Sequence, residues 1–174
     1  MRAYLGLGSN LGDRPTAIAR AIELLGSRGR VLAVAPLYET EPWGLIEQPR
    51  FINSACIVEV ELGPLGLLAA LKAIERQMGR VAGPRNGPRI IDLDILMCDG
   101  LIVDLPCLRV PHVALAQRAT ALVPLADIAP EVLHPLTRQT VAAHLDALRP
   151  ISGIAPYPPG LPSAFRSPRC ATAP

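Results

Sequence analysis

Apolar and acidic residues alternate between positions 90 and 98. Ile91, Leu93, Ile95 and Met97 fall on one side of the register, Asp92 and Asp94 on the other. A strand with one buried and one wet face reads this way, because successive side chains leave a strand in opposite directions. Residues 51–62 carry the same pattern, with Ile52, Cys56, Val58, Val60 and Leu62 set against Phe51, Asn53, Glu59 and Glu61. A chain with two such segments has to build a sheet covered on one face, and the helical segments between them supply the cover.

Those helices are legible from their ends and their periodicity. Asp13 followed by Pro15 is a start signal, and Ile18, Ile22 and Leu25 mark one face of a helix that stops at Gly26 and Gly29. Pro64 opens a second helix with Leu67, Leu71, Ile74 and Met78 at helical spacing. Strands are expected at 2–7 and 31–38, a loop at 39–50 and a basic Gly/Pro loop at 80–88. The order is β-α-β-β-α-β, the split βαβ pattern of an α+β, ferredoxin-like α/β sandwich with helices on one sheet face. Short helices near 113–122 and 140–148 predict a small C-terminal helical lobe. Residues 150–174 hold seven prolines and few large apolar groups. The expected organisation is one domain over 1–149 and an extended or disordered tail outside the fold.

Composition narrows the classes. Half of the 174 residues are apolar and the net charge is +2, which excludes a strongly basic nucleic-acid surface. No apolar run is long enough to span a bilayer, and the amino end enters a strand pattern too early for a signal peptide. Cys56, Cys98, Cys107 and Cys170 lack metal-type pairing, and Cys56 and Cys98 sit in apolar runs. A soluble cytoplasmic protein with reduced thiols is the expectation. Aromatic residues are 3% of the chain, and Tyr38, Trp43 and Phe51 gather half of them in one stretch.

The alternation also locates a candidate site. If helices cover the apolar face, Phe51, Asn53, Asp92 and Asp94 share the opposite face of one sheet. Carboxylates at i and i+2 stand about 7 Å apart along a strand. Magnesium takes one or two carboxylates and completes its octahedron with water and phosphate oxygens, and a pair of ions can bridge a triphosphate and a nucleophile. Asp-x-Asp alone is most simply the wet side of a sheet. Its neighbours change the weighting: Arg80, Arg85 and Arg89 precede it, and Arg109, His112 and Arg118 follow. Guanidinium forks match phosphate oxygens, and phosphoryl transfer consists mainly of positioning and charge neutralisation. Without the aspartates the same arginines would read as a solvated loop. Gly6, Gly8 and Gly12 miss the dinucleotide spacing by one residue, and no P-loop lysine motif occurs. His134 and His144 read as structural.

Taken together, Leu7-Gly8-Ser9-Asn10-Leu11-Gly12-Asp13, Phe51-Ile52-Asn53, Gly87-Pro88-Arg89-Ile90-Ile91-Asp92-Leu93-Asp94, Val110-Pro111-His112 with Arg118, and the run from Pro124 to Pro130 resemble the hydroxymethyl-dihydropterin pyrophosphokinase family. The resemblance covers roughly residues 1–148. It implies an enzyme active as a monomer that binds MgATP first and transfers pyrophosphate to the substrate hydroxymethyl group, releasing AMP, in folate synthesis. It implies two magnesium ions on Asp92 and Asp94, phosphate stabilisation by Arg80 and Arg89, and ATP contacts from Glu75, Arg85, Arg89, His112 and Arg118. Thr40, Pro42, Trp43, Phe51, Asn53, Asn86 and Thr120 would line the pterin pocket, with Phe51 stacking on the ring.

Three departures stand out. Asn86 replaces a tryptophan common in the family, Thr120 replaces a second stacking aromatic, and the loop between Arg80 and Arg85 is one residue shorter, with Ala82 where another arginine is usual. Weaker pterin binding is therefore expected. The alternatives are a two-metal nucleotidyl transferase, an RNA-recognition module on the same frame, and a catalytically silent nucleotide-binding paralogue. Aspartates on the sheet face argue against the RNA module, and release of AMP without free pyrophosphate separates the pyrophosphokinase from the nucleotidyl transferase.

Overall fold

The computed structural model describes residues 1–42, 47–84 and 86–158. In chain order the elements are β1 (Arg2–Ser9), α1 (Arg14–Gly26), β2 (Arg30–Val34), β3 (Tyr38–Thr40), β4 (Phe51–Glu59), α2 (Pro64–Gln77), β5 (Asp92–Cys98), β6 (Val103–Leu105), β7 (Leu108–Val110), α3 (Ala119–Ile128), α4 (Val141–Ala147) and β8 (Ile154–Pro156). The main sheet is antiparallel, in the order β5-β1-β4-β3-β8, with β2 also on β4. It is an α+β fold.

The helix signals act as expected. The Asp13 carboxylate accepts the Thr16 amide at 3.2 Å and the Thr16 hydroxyl at 2.8 Å, capping α1. Ile18, Ile22 and Leu25 of α1, with Leu67, Leu71 and Ile74 of α2, are buried against Leu5, Ile52, Cys56, Val58 and Leu93 in one core. Gly29 follows α1 because the chain there presses on β4: a Cβ would lie 2.5 Å from the Glu59 carbonyl oxygen.

The structure departs from the pattern in several places. The segment expected as one strand over 31–38 divides into β2 and β3, which share the same edge of β4. At the joint the Ala35 amide bonds to the Ala55 carbonyl at 2.8 Å, and the Ser54 hydroxyl to the Ala35 carbonyl at 2.9 Å. Met97 does not stay with Ile91, Leu93 and Ile95. The β1–β5 register slips between Tyr4 and Leu5, Leu96 is the extra residue, and Met97 passes to the other sheet face while Cys98 takes its place. That other face is not open along its length. Leu122 and Leu125 of α3 and Val141 of α4 pack on Tyr4, Ala55, Leu96 and Met97 as a second core.

Residues 150–158, expected outside the fold, add the edge strand β8. Ile154, Ala155 and Pro156 lie opposite Thr40, Glu39 and Tyr38, and the Tyr157 amide bonds to the Leu37 carbonyl at 2.8 Å. Proline is tolerated there because an edge strand leaves one row of amides unpaired.

Candidate active site

Three strands align their residues in a row. Asn53 on β4 and Asp92 on β5 both lie opposite Gly8 of the intervening β1. In the next row on the same face, Ala55 and Asp94 lie opposite Gly6. Directly paired residues point the same way, so the amide and both carboxylates stand over a floor where the central strand presents only Gly6 and Gly8. A Cβ at Gly8 would approach the Asn53 Oδ1 to 2.9 Å, and one at Gly6 would meet Leu96 at 3.3 Å. Gly6 and Gly8, which Gly12 follows one residue too late for a dinucleotide fingerprint, thus serve as the base of a cavity.

The cavity walls bring together residues far apart in sequence. Phe51, Asn53, Asp92, Asp94, His112 and Thr120 line it, and Thr40, Asn86, Arg89 and Arg118 complete it. The second lobe supplies Arg118 and Thr120 as a roof over ground the sequence reading left open. Thr40 is buried, and its hydroxyl accepts the Asn53 side-chain amide at 2.6 Å, which fixes the amide's orientation. Pro42 is described but does not line the cavity, whose edge there is Glu41. Trp43 and Arg85 lie outside the described residues.

Asn86 has φ 59°, in the left-handed region where asparagine is among the best tolerated residues. The Gln48 side-chain amide donates to its carbonyl at 2.8 Å.

The acids are held differently. One Asp92 oxygen receives Arg80, and the other lies 3.2 Å from Arg89 Nε. Asp94 has its carboxyl pushed above the ordinary range, first by burial and then by the charge on Asp92, with His112, Lys72 and Arg118 opposing the shift. His112 is pushed below the usual histidine value by burial, which outweighs the pull of Asp94. Its Nδ1 accepts the Ala114 amide at 3.2 Å, so in the neutral ring Nε2 carries the proton and can donate.

Two roles were not legible in sequence. Glu75, expected to touch nucleotide, sits behind β5 with 3% exposure. It accepts the Leu93 amide at 2.8 Å, Arg80 at 2.6 Å and Lys72 at 2.9 Å. It aims Arg80 at Asp92. Asn10, which entered only as part of a motif, is buried and ties three segments together. Its Oδ1 accepts the Arg89 amide at 2.7 Å, its own amide bonds to the Arg89 carbonyl at 3.1 Å, and its Nδ2 reaches Gln48 and Pro49 at 3.0 and 3.1 Å. A polar residue between two glycines, Gly8 and Gly12, was the available signal.

Beyond Asp94 and His112 a second groove runs along Lys72, Cys107, Leu108 and Arg109. It is framed by the β6–β7 hairpin, which the sequence reading did not anticipate.

Among the described residues no three His, Cys, Asp or Glu side chains form a metal-binding group. Magnesium does not require one, since one or two carboxylates suffice when phosphate and water fill the octahedron. Asp94, half-buried and repelled by Asp92, is a carboxylate that a divalent cation would relieve. The donor set fits.

The 7,8-dihydro-6-hydroxymethylpterin-pyrophosphokinase (HPPK) family profile matches residues 4–130. The 2-amino-4-hydroxy-6-hydroxymethyldihydropteridine pyrophosphokinase of Pseudomonas aeruginosa is 43% identical over 90% of this chain and 97% of its own length. That of Methylorubrum extorquens is 44% identical over 88% and 96%. A folic acid synthesis protein of Schizosaccharomyces pombe is 42% identical over 89% of this chain, which spans only 21% of the yeast protein. Among solved structures, wild-type HPPK-DHPS of Plasmodium falciparum matches 84% of this chain and 44% of its own, with a TM-score of 0.66 at 18% identity, a likeness of fold.

Proposed function

The chain belongs to the 7,8-dihydro-6-hydroxymethylpterin-pyrophosphokinase family, and from that premise we propose that the cavity over Gly6 and Gly8 is where it acts. The enzyme transfers pyrophosphate from ATP to 6-hydroxymethyl-7,8-dihydropterin in folate synthesis, giving AMP and the dihydropterin pyrophosphate. The observation that carries the site assignment is the row Asn53–Gly8–Asp92, in which an amide that can read a heterocycle's edge stands one strand from a carboxylate pair.

In this reading Phe51 stacks on the pterin and Asn53, held by Thr40, hydrogen-bonds its edge. The hydroxymethyl oxygen attacks the β-phosphorus, the bond from that phosphorus to the bridging oxygen of the α-phosphate breaks, and the hydroxyl proton is released. Arg89 and Arg118 face the cavity and neutralise the phosphate oxygens, His112 donates to them from Nε2, and Arg80 supplies positive charge behind Asp92. Arg85 and Glu75 are placed with the nucleotide by resemblance, Glu75 acting through Arg80. Asn86 and Thr120 border the ring site. Asp92 and Asp94 would hold magnesium, two ions in all, which would offset charge on the triphosphate and lower the pKa of the attacking hydroxyl.

The catalytic unit is the domain 1–149, extended by β8, acting as a monomer in the cytoplasm and binding neither nucleic acid nor membrane. No helix among the described residues is long and apolar enough to cross a membrane. The ferredoxin-like description of the core is supported by the strand order and by the α1–α2 layer.

Asp92→Ala and Asp94→Ala should each abolish turnover, by at least a thousandfold, while far-UV circular dichroism stays unchanged. Near-normal rates in either would refute the metal role. Incubation with MgATP and the dihydropterin should yield AMP without free pyrophosphate; pyrophosphate would favour a nucleotidyl transferase.

A further inference from the structure

The row that carries Asn53 and Asp92 has a fourth member. Tyr38 of β3 lies opposite Asn53, so Tyr38, Asn53, Gly8 and Asp92 cross the sheet side by side on the cavity face. The Tyr38 hydroxyl donates to Asp127 Oδ2 at 2.7 Å, and Asp127 belongs to α3. That helix lies against β1, β4 and β3. Its first turn brings Thr120 and Ala121 to the cavity wall. Asp127 follows Thr120 by two helical turns on the same side, about 10 Å along the axis. We propose that Tyr38 and Asp127 are a positioning pair for the ring subsite: their bond sets the angle at which α3 crosses the sheet, and with it the clearance between Thr120 and the Asn53 row into which the pterin must fit. The inference rests on the functional reading above and adds to it the contact that gauges the space for the ring.

The helix needs such a fixing. Its middle is held down by Leu122 and Leu125, buried among Tyr4, Ala55, Leu96 and Met97, and apolar burial is non-directional. Pro124 lies between the two ends and has no N–H, so the Thr120 carbonyl lacks the helical donor four residues on. The turn that carries Thr120 is therefore the softest part of α3, and its place depends on what holds the ends. The near end is tied by backbone, the Ala121 and Leu122 amides both bonding to the Arg118 carbonyl at 3.0 Å. At the far end the phenol–carboxylate bond is short, charge-assisted and directional. Burial and the Asp127 carboxylate push the Tyr38 hydroxyl up to about 12, which keeps it a donor throughout the neutral range. Its mount is firm, because β3 is paired to β4 on one side and β8 on the other.

The test is steady-state kinetics with MgATP and 6-hydroxymethyl-7,8-dihydropterin on Tyr38→Phe, Asp127→Ala and the double variant. Each single substitution should raise KM for the pterin about fivefold, the net worth of one hydrogen bond, with kcat and KM for ATP within about twofold of the parent. The double variant should be no worse than either single one, because both remove the same bond. A pair that only stabilises the fold would lower the melting temperature and leave the split between the two KM values unmoved. An unchanged KM for the pterin in either single variant, equal rises in both KM values, or additive losses in the double variant would overturn the positioning role while leaving the functional reading intact. A parent protein that makes no dihydropterin pyrophosphate from MgATP would overturn both. Either single variant decides the matter if the other fails to fold.

Discussion

At the scale of single residues, the site depends as much on missing atoms as on present ones. Gly8 is the clearest case. An alanine there would place a methyl 2.9 Å from the amide oxygen that is proposed to read the pterin edge, over a backbone with no room to retreat between two strands. Gly8→Ala is expected to raise KM for the pterin at least tenfold with a smaller effect on KM for ATP, and steady-state titration of both substrates checks it. Asp94 makes the opposite trade. Its carboxyl is raised above the ordinary value by burial and by Asp92, so the folded state holds that proton more tightly than the unfolded chain. The sign follows: stability is lost as pH rises from the unfolded pKa through the raised folded one, and at neutral pH the ionised group weighs against the fold. Asp94→Asn should therefore raise the melting temperature at neutral pH while abolishing turnover. A lower melting temperature would show that Asp94 is stabilised by contacts its burial does not reveal. The charge is retained at a cost in stability because the reaction uses it.

At the scale of elements, short pieces hold the cavity in shape. The three residues of β3 include Thr40, which orients Asn53, and β3 has β4 on one side and β8 on the other. Strands this short contribute little alone. Removing residues 150–174 takes away the β8 pairing, the Tyr157 amide bond to Leu37 and the packing of Tyr157 on the main core. Truncation after Arg149 should lower stability by roughly 2 kcal/mol, read as a lower denaturation midpoint, and should weaken pterin binding more than ATP binding. An unchanged midpoint would mean β3 needs no edge partner. Helix α2 works from the other side of the sheet: its apolar stripe fastens it to the core, and Glu75, one position beyond Ile74, passes under β5 to hold Arg80.

At the scale of the whole molecule, two cores on opposite sheet faces divide the work. The larger, under α1 and α2, fixes the sheet; the smaller, under α3 and α4, roofs one end of the opposite face and brings Arg118 and Thr120 over the floor. The smaller lobe carries an acid sensitivity. His134 and His144 meet edge to face at 5.3 Å, and Thr137 bridges them, its hydroxyl 2.7 Å from His144 Nε2 and its amide on His134 Nδ1. Burial and the neighbouring His144 hold His134 below the usual histidine pKa. The unfolded chain then takes up a proton before the folded one does, so stability falls as pH drops below about 6.5, the unfolded value. Thermal melts between pH 7.5 and 5 should show the loss, and His134→Gln should flatten it. A profile unaffected by that substitution would place the sensitivity elsewhere.

Much of this was written locally. Alternation at 51–59 and 91–95, the Asp13 and Pro64 helix starts and the paired aspartates needed no tertiary information, because side-chain direction and capping are set within a few residues. The motif around Asp92 also carried the family. What the chain could not announce was set by contacts between distant segments. The slip at Leu96 moved Met97 across the sheet, the division of one strand into β2 and β3 depended on pairing with β4, and β8 formed because β3 offered an edge. Glu75 and Asn10 took their roles from amides eighteen and seventy-nine residues away. A buried polar group must find a partner, but nothing in its own neighbourhood says which one.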